Sequence, residues 1–455
     1  MENAIALLVF AIIVLYLVFR DTDEKSAYTF LISDRSVSPF RIAASLSSGF
    51  RDGAGLAAWV AFGYYFDIGA IWLFFGMALA LFYLSIIGAR VRKLVENTVI
   101  YSLNQFVREY VGVKSGYFTV VVLAITAILI TGAQLHVSGV ILSTLIKAPV
   151  IFGIILIAVF VGIYVIIGGF RAVLLTDVFQ WTVLFVVFLV PLFVVSSGSN
   201  IQPNWDTISS PGQLLYSLVP LVFLIVATGG DVWQRIFSAS DAKAARSGLL
   251  ITIPLYLALS IGVVLLALAI KALLPNAEGG QAFFMMFQEG VFSGWGLAVL
   301  GVFTVAAITS TIDTQAFVFA SALASSIRKK KRDEQLLEKA DVSVTRWLLI
   351  AFLFVVSLVA YSIGDIVVFL FSSYSFTTIL FPLLLLIAIR GKSLQEDPQL
   401  DIWIVSVLIF SSVVYFVLWV LGYYSELAFT LVAPAVAIIG TAAVALIRGH
   451  HAPNY

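Results

Sequence analysis

The stretch Ser47-Ser48-Gly49-Phe50-Arg51-Asp52-Gly53-Ala54-Gly55 decides how this chain is read. It sets glycines, an arginine and an aspartate inside an apolar segment running from about residue 40 to 64. Each glycine in such a segment lowers helix propensity by about 1 kcal/mol. Charged residues at membrane depth are rare and usually line a cavity or pathway. Non-helical backbone is tolerated there only where it is buried in protein or faces water. The stretch therefore predicts a helix broken in mid-membrane. A second stretch of this kind, Ala227-Thr228-Gly229-Gly230-Asp231-Val232-Trp233-Gln234-Arg235, lies in the apolar segment 214–237. The two segments are the second and the seventh along the chain. That offset of five is expected when a five-helix unit is repeated in inverted orientation, and matched breaks point to a transporter site. The alternative is a pair of glycine-rich packing faces with charges snorkelling to the interface.

Composition agrees with a membrane setting. The 455 residues are 61% hydrophobic and 11% charged, against about 45–50% and 25% in soluble domains. This excludes a soluble enzyme, a disordered chain and a nucleic-acid binder. The net charge of +1 implies no acidic polymer as partner. With Cys 0 there are no disulfides, thiolate metal sites or thiol catalysis, and His 3 leaves no histidine-rich metal site. Apolar runs such as Ile151–Ile167 are continuous rather than alternating, which favours helices over a membrane barrel.

A spanning helix takes about 20 mostly apolar residues, and about thirteen such segments can be counted. The first, Ala4–Phe19, lacks the basic flank and cleavage site of a signal peptide. It is read as an uncleaved span with its N-terminus outside. The others lie near 40–64, 69–89, 116–143, 149–168, 171–196, 214–237, 248–273, 295–326, 346–362, 364–389, 401–422 and 426–447. With this alternation nearly all basic residues fall on one side, from Arg20 and Arg35 through Arg90, Arg92, Arg171, Arg235 and the run Arg328–Asp333 to Arg448. Only Lys147 and Lys271 fall on the other. The positive-inside rule makes the rich side, and the C-terminus, cytoplasmic. Leu94–Val113 is expected to form an amphipathic surface helix. Asn276–Gly294, outside, is long enough for a short interfacial one.

A third unusual segment holds Ala306-Ala307-Ile308-Thr309-Ser310-Thr311-Ile312-Asp313-Thr314-Gln315. Adjacent hydroxyls in mid-membrane can complete an oxygen cage for a hard cation such as Na⁺. They serve ordinary helix packing equally well.

Several ordered patches now add a resemblance. Phe30–Pro39, Gly168-Gly169-Phe170-Arg171 through Asp177 and Gln180, Gln234-Arg235 followed by Ala239, Ala242 and Ala245, Ala306–Gln315, and Pro382 after the hydroxyl-rich Ser372–Thr378 together resemble the sodium:solute symporter family. The resemblance implies an all-α, polytopic protein of the plasma or inner membrane with the LeuT-like fold of two inverted five-helix repeats. Residues 1–24 would form an extra N-terminal helix, 40–196 the first repeat, 214–389 the second, and 400–448 two further helices. It implies a secondary symporter, not an enzyme. An inward sodium gradient drives uptake by alternating access, with no cofactor beyond the transported Na⁺.

Residue by residue, the resemblance places Na⁺ on the carbonyls of Phe50, Gly53 and Ala307 and on the hydroxyls of Ser310 and Thr311. Asp52 and Asp177 match acidic positions tied to ion coupling. Asp177 has a second reading, as the N-cap of a following helix. Asp313 and Thr314 stand where relatives with a second sodium site carry serines. Arg51 departs from the family pattern. A guanidinium stays charged, so it is expected to pair with an acidic neighbour, Asp52 first, or to clamp a substrate carboxylate.

The expected partners are Na⁺, a small organic solute and the bilayer. Candidate walls of the solute site are Arg51, Trp59, Gln134, Thr228, Asp231, Trp233 and Ser375. His136 is read as a packing residue. The charges favour a zwitterion or small organic acid, with an amino acid such as proline first. A proton-coupled carrier of the same fold and a transport-inactive membrane sensor are the alternatives.

Overall fold

The computed structural model describes residues 1–21, 26–196, 201–209, 212, 214–289, 291–327, 339–363, 366–390, 398–423 and 427–449. The basic run Arg328–Asp333 and the pair His450–His451 lie outside them. In chain order the helices are α1 (Glu2–Arg20), α2 (Ala27–Ile32), α3 (Pro39–Gly49), α4 (Gly53–Phe66), α5 (Trp72–Leu94), α6 (Leu103–Tyr110), α7 (Val113–Ile146), α8 (Val150–Leu184), α9 (Leu189–Ser196) and α10 (Asp206–Ser209). There follow α11 (Val219–Thr228), α12 (Gly230–Ser238), α13 (Ala242–Leu273), α14 (Gly279–Gln288), α15 (Gly294–Ile327), α16 (Lys339–Ala360), α17 (Ile366–Thr377), α18 (Phe381–Arg390), α19 (Pro398–Val420) and α20 (Val432–Gly449). Among the described residues the protein is all-α.

Both expected breaks are present. α3 starts at Pro39 behind the cap of Ser38, whose hydroxyl accepts from the Arg41 amide, and stops at Gly49. Asp52 then takes an extended conformation (φ −66°, ψ 152°) and its carboxylate caps α4 by accepting from the Gly55 amide. A Cβ on Gly53 would run into Ile308 of α15, so the close approach of the break to that helix requires glycine. In the second break, α11 ends at Thr228, Gly229 turns the chain (φ −59°, ψ 119°), and the segment from Leu214 meets α12 at 45°.

Nine helical runs among the described residues are long and apolar enough to cross a bilayer, or ten if the bent pair counts as one more. The sequence suggested thirteen. Part of the difference is that two of the runs contain an interruption. Gly53–Leu94 includes the 3-10 turn Asp67–Ile71, and Val150–Ser196 includes Gly169 at φ 60°, ψ −148°. A Cβ on Gly169 would meet the Phe30 carbonyl. The remainder is length: α17 and α18, with 12 and 10 residues joined by a 3-10 turn, are each too short to count alone.

α15 is the centre of the bundle, with 72% of its most apolar window buried against 17% for α1 and 22% for α19. It packs on α7, α8 and α16, while α13 packs on α3 and α5. The expected surface helix over Leu94–Val113 is much shorter. α5 runs to Leu94, and only Leu103–Tyr110 is helical after it. That short helix is anchored rather than floating: Phe106 is buried against Trp233 and Phe237, and the Asn104 amide donates to Ser325 Oγ at 2.9 Å. A short helix does form within Asn276–Gly294, as α14.

Each end of the molecule is tied. At one, the Val37 amide donates to Ser238 O and the Ser240 amide to Val37 O, both at 3.2 Å. Arg92 adds donations to Ala239 O (2.7 Å) and Ser240 O (3.1 Å). At the other, Lys271 Nζ pairs with Asp67 Oδ2 at 3.1 Å, and Asp67 Oδ1 accepts from the Asn204 amide at 2.8 Å.

Candidate ion and solute site

The first break and α15 meet. Thr311 Oγ1 donates to the Gly49 carbonyl at 3.2 Å, and Ser48 Oγ donates to Ser310 Oγ at 2.7 Å. Ala307 and Ser310 are fully buried and Thr311 nearly so. Of the predicted cage residues, Ser310 and Thr311 thus meet the end of α3, and Gly53 lies against Ile308, the residue after Ala307. Their donor set is carbonyl and hydroxyl oxygen, which suits a small hard cation. The carbonyl nearest Thr311 is Gly49's, one residue before the expected Phe50.

Behind this meeting point lies a buried polar network. Ser310 Oγ donates to Asp177 Oδ1 at 2.7 Å, and Ser45 donates to Oδ2 of the same carboxylate. Asp177 Oδ2 also forms an ion pair with Arg235 Nη2 at 2.9 Å. Arg235 further donates to Ser45 Oγ (2.8 Å) and Thr314 Oγ1 (2.9 Å). Two expectations are corrected here. Asp177 lies well inside α8, eight residues after the Gly169 kink, so it caps no helix. Arg235, counted with the exposed basic residues of one face, is only 1% exposed and serves Asp177 instead. Sequence reasoning gave it no site role, because it stands at the end of an apolar run where an interfacial arginine looks the same. Asp313 accepts from the Tyr164 hydroxyl (2.7 Å) and Thr176 Oγ1 (3.3 Å), while its Oδ1 is buried without a partner.

Arg51 is also misjudged by its sequence neighbour. It forms no ion pair with Asp52. Its guanidinium is 1% exposed and lies over the rings of Tyr256 (4.0 Å) and Phe74 (4.7 Å). Nη2 donates to Tyr256 O at 3.3 Å and to Ser260 Oγ, while Nε and Nη1 have no hydrogen-bond partner. Asp52 turns the other way. It accepts from Gln134 Nε2 at 2.5 Å, from the Tyr374 hydroxyl at 3.0 Å and from the Gly55 amide. Three hydrogen-bond donors thus hold its carboxylate.

Between the two breaks is a cavity of about 90 Å³. Gly49, Phe50 and Asp52 line it from the first broken helix, and Gly229, Gly230 and Asp231 from the second. Trp59, Gln315, Tyr374 and Thr377 complete its polar and aromatic walls. Of the predicted wall residues, Trp59 and Asp231 line it. Gln134 stands behind Asp52 and holds the Ala54 amide at 3.0 Å. Arg51, Thr228, Trp233 and Ser375 do not line it. Thr228 bonds Thr377 at 3.1 Å, Trp233 stacks on Phe106 and donates to Ala227 O, and Ser375 is fully buried. The hydroxyl-rich run before Pro382 was the sequence signal for Tyr374 and Thr377. Hydropathy alone does not show which residues of that run face the cavity. His136 is satisfied by the Ala360 carbonyl at 2.8 Å, as a packing residue would be.

Two discontinuous helices crossing at a mid-bundle cavity define a LeuT-like transporter fold. Solved structures agree on that fold. A sodium-coupled sialic acid symporter in a substrate-bound outward-open state superposes with TM-score 0.74 at 16% identity, covering 98% of each chain. A nucleobase-cation-symport-1 family transporter in a closed conformation gives TM-score 0.53 at 14% identity, over 94% of this chain and 97% of that one. A manganese transporter variant from Eremococcus coleocola gives 0.53 at 15% identity, over 94% and 96%. The sodium:solute symporter family model matches residues 30–389, and the chain belongs to that family. It is therefore a multi-pass membrane protein of a transporter family, not an enzyme. Over 239 residues it is 28% identical to a sodium/pantothenate symporter of Haemophilus influenzae, a match that spans about half the length of that relative and 48% of this chain.

Proposed function

We propose that this chain is a sodium-coupled symporter importing a small organic solute by alternating access. The observation that carries the reading is the contact of the first break with the hydroxyls of Ser310 and Thr311, 262 residues downstream. Sodium would be held by the carbonyls of Phe50, Gly53 and Ala307 and the hydroxyls of Ser310 and Thr311. Such a cage spans two elements, so occupancy favours the arrangement that keeps them together, which is the differential affinity that coupling requires. Asp177, one hydrogen bond behind Ser310, orients that hydroxyl and joins the ion site to the second broken helix through Arg235. Asp52 caps the half-helix that faces the cavity and so relates solute and ion.

The thirteen-span arrangement belongs to this reading, with the N-terminus outside, 1–24 preceding two inverted repeats at 40–196 and 214–389, and 400–448 following them. The interruptions at Asp67–Ile71 and Gly169 fall where it needs turns. The Val37–Ser240 tie then lies on the cytoplasmic face and Lys271–Asp67 on the outer face. The position of Arg51 removes the carboxylate clamp that supported an organic acid. The test is uptake into proteoliposomes under an inward Na⁺ gradient. Transport that survives replacement of Na⁺ by K⁺ would defeat the proposal and point to proton coupling.

A further inference from the structure

The electrostatics of the cavity bear on which solute it takes. Its two carboxylates, Asp52 and Asp231, come one from each broken helix, and no lysine, arginine or histidine lines it. Among the described residues neither carboxylate forms an ion pair. Of the two buried guanidiniums nearby, Arg51 is held by Tyr256 and Ser260, and Arg235 pairs with Asp177 while its Nη1 donates to the Asp231 main-chain carbonyl at 3.2 Å, not to the carboxylate. The remaining walls are aliphatic, with Thr126, Gln315 and Thr377 as neutral polar groups and Phe50, Trp59 and Tyr374 as aromatic ones. Ring faces attract cations, most strongly where water is excluded. A buried charge left without a partner costs several kcal/mol. A nitrogen-free carboxylate would meet two like charges here and no cationic group.

We infer that the transported solute bears a protonated or quaternary nitrogen, received by the Asp52–Asp231 pair and the aromatic wall. This rests on the symport reading and narrows it. Amines, quaternary ammonium compounds and amino acids fall within the class. Simple carboxylic acids and sugars fall outside it.

The experiment uses the full chain in nanodiscs of neutral lipid and reads the thermal unfolding midpoint in Na⁺ and in K⁺. Each nitrogen-bearing probe stands beside a nitrogen-free isostere: proline beside cyclopentanecarboxylate, pyrrolidine beside tetrahydrofuran, butylamine beside butanol, choline beside neohexyl alcohol. Only nitrogen-bearing probes should raise the midpoint, and more so in Na⁺. Asp231→Asn should weaken the responding probe about tenfold or more, as expected for loss of a charged hydrogen-bond partner, and leave the shift from Na⁺ alone intact. If that variant does not fold, Trp59→Leu should weaken the same probe. An isostere that stabilises as well as its nitrogen partner, or silence from every nitrogen-bearing probe, overturns the inference. If Na⁺ alone gives no shift over K⁺, the symport reading itself falls. If that shift persists while an acid responds, only the solute class falls.

Discussion

The carboxylate of Asp177 and the guanidinium of Arg235 form an ion pair at 2.9 Å with both side chains at or below 1% exposure. The pair joins α8 to the second broken helix, and through Ser45 and Ser310 it touches the first broken helix and the proposed cage. Removing one partner of a buried pair typically costs about 3–5 kcal/mol, because the other is left charged and unmatched. Asp177→Asn and Arg235→Gln should each lower the thermal midpoint sharply. The double variant should be less harmed than the sum of the two, which a double-mutant cycle of thermal unfolding measures.

Thr311→Ala removes a cage hydroxyl whose own hydrogen bonds, to Gly49 O at 3.2 Å and Ala307 O at 3.4 Å, are long. The fold should survive with a loss of about 1 kcal/mol. The sodium concentration for half-maximal uptake should rise several-fold, and Thr311→Ser should restore it. A sodium dependence unchanged by the alanine would remove Thr311 from the cage.

Gly53→Ala places a methyl group against Ile308. Overpacking at such a contact costs about 1–3 kcal/mol and would push the break away from α15. Uptake should fall more than protein yield does. Adding Ile308→Ala should recover uptake by making room, and failure of that rescue would show that the close approach is not what the glycine provides.

Arg51→Met keeps much of the packing against Tyr256 and Phe74 and deletes a buried positive charge one residue from the proposed Phe50 ligand. Two unit charges roughly 8 Å apart at an effective dielectric of about 20 interact by about 2 kcal/mol. Sodium should therefore bind up to about thirtyfold more tightly in the variant, read as the midpoint shift against Na⁺ concentration. Weaker sodium binding would mean that Arg51 supports the site through its geometry instead.

The breaks were legible in the sequence because glycine and charge inside an apolar segment leave few structural alternatives. The pairing of charges was not. Arg51 and Asp52 are neighbours in sequence, yet successive side chains in an extended stretch project to opposite sides. One enters the clasp of Tyr256 and Phe74, and the other faces Gln134 and Tyr374. Arg235 finds partners on α3, α8 and α15, contacts that no local pattern encodes. The number of spans was blurred for a related reason. Interruptions such as Gly169 bend a helix without leaving a polar gap, so hydropathy and backbone geometry divide the chain differently.

The short ladder that links Val37 to Ser238 and Ser240, braced by Arg92, fastens the end of one hinged helix to the start of the other. Neither hinge can swing far on that face while the ladder holds. In the proposed transport cycle this ladder would have to part for inward release, so both rods would let go together rather than one at a time.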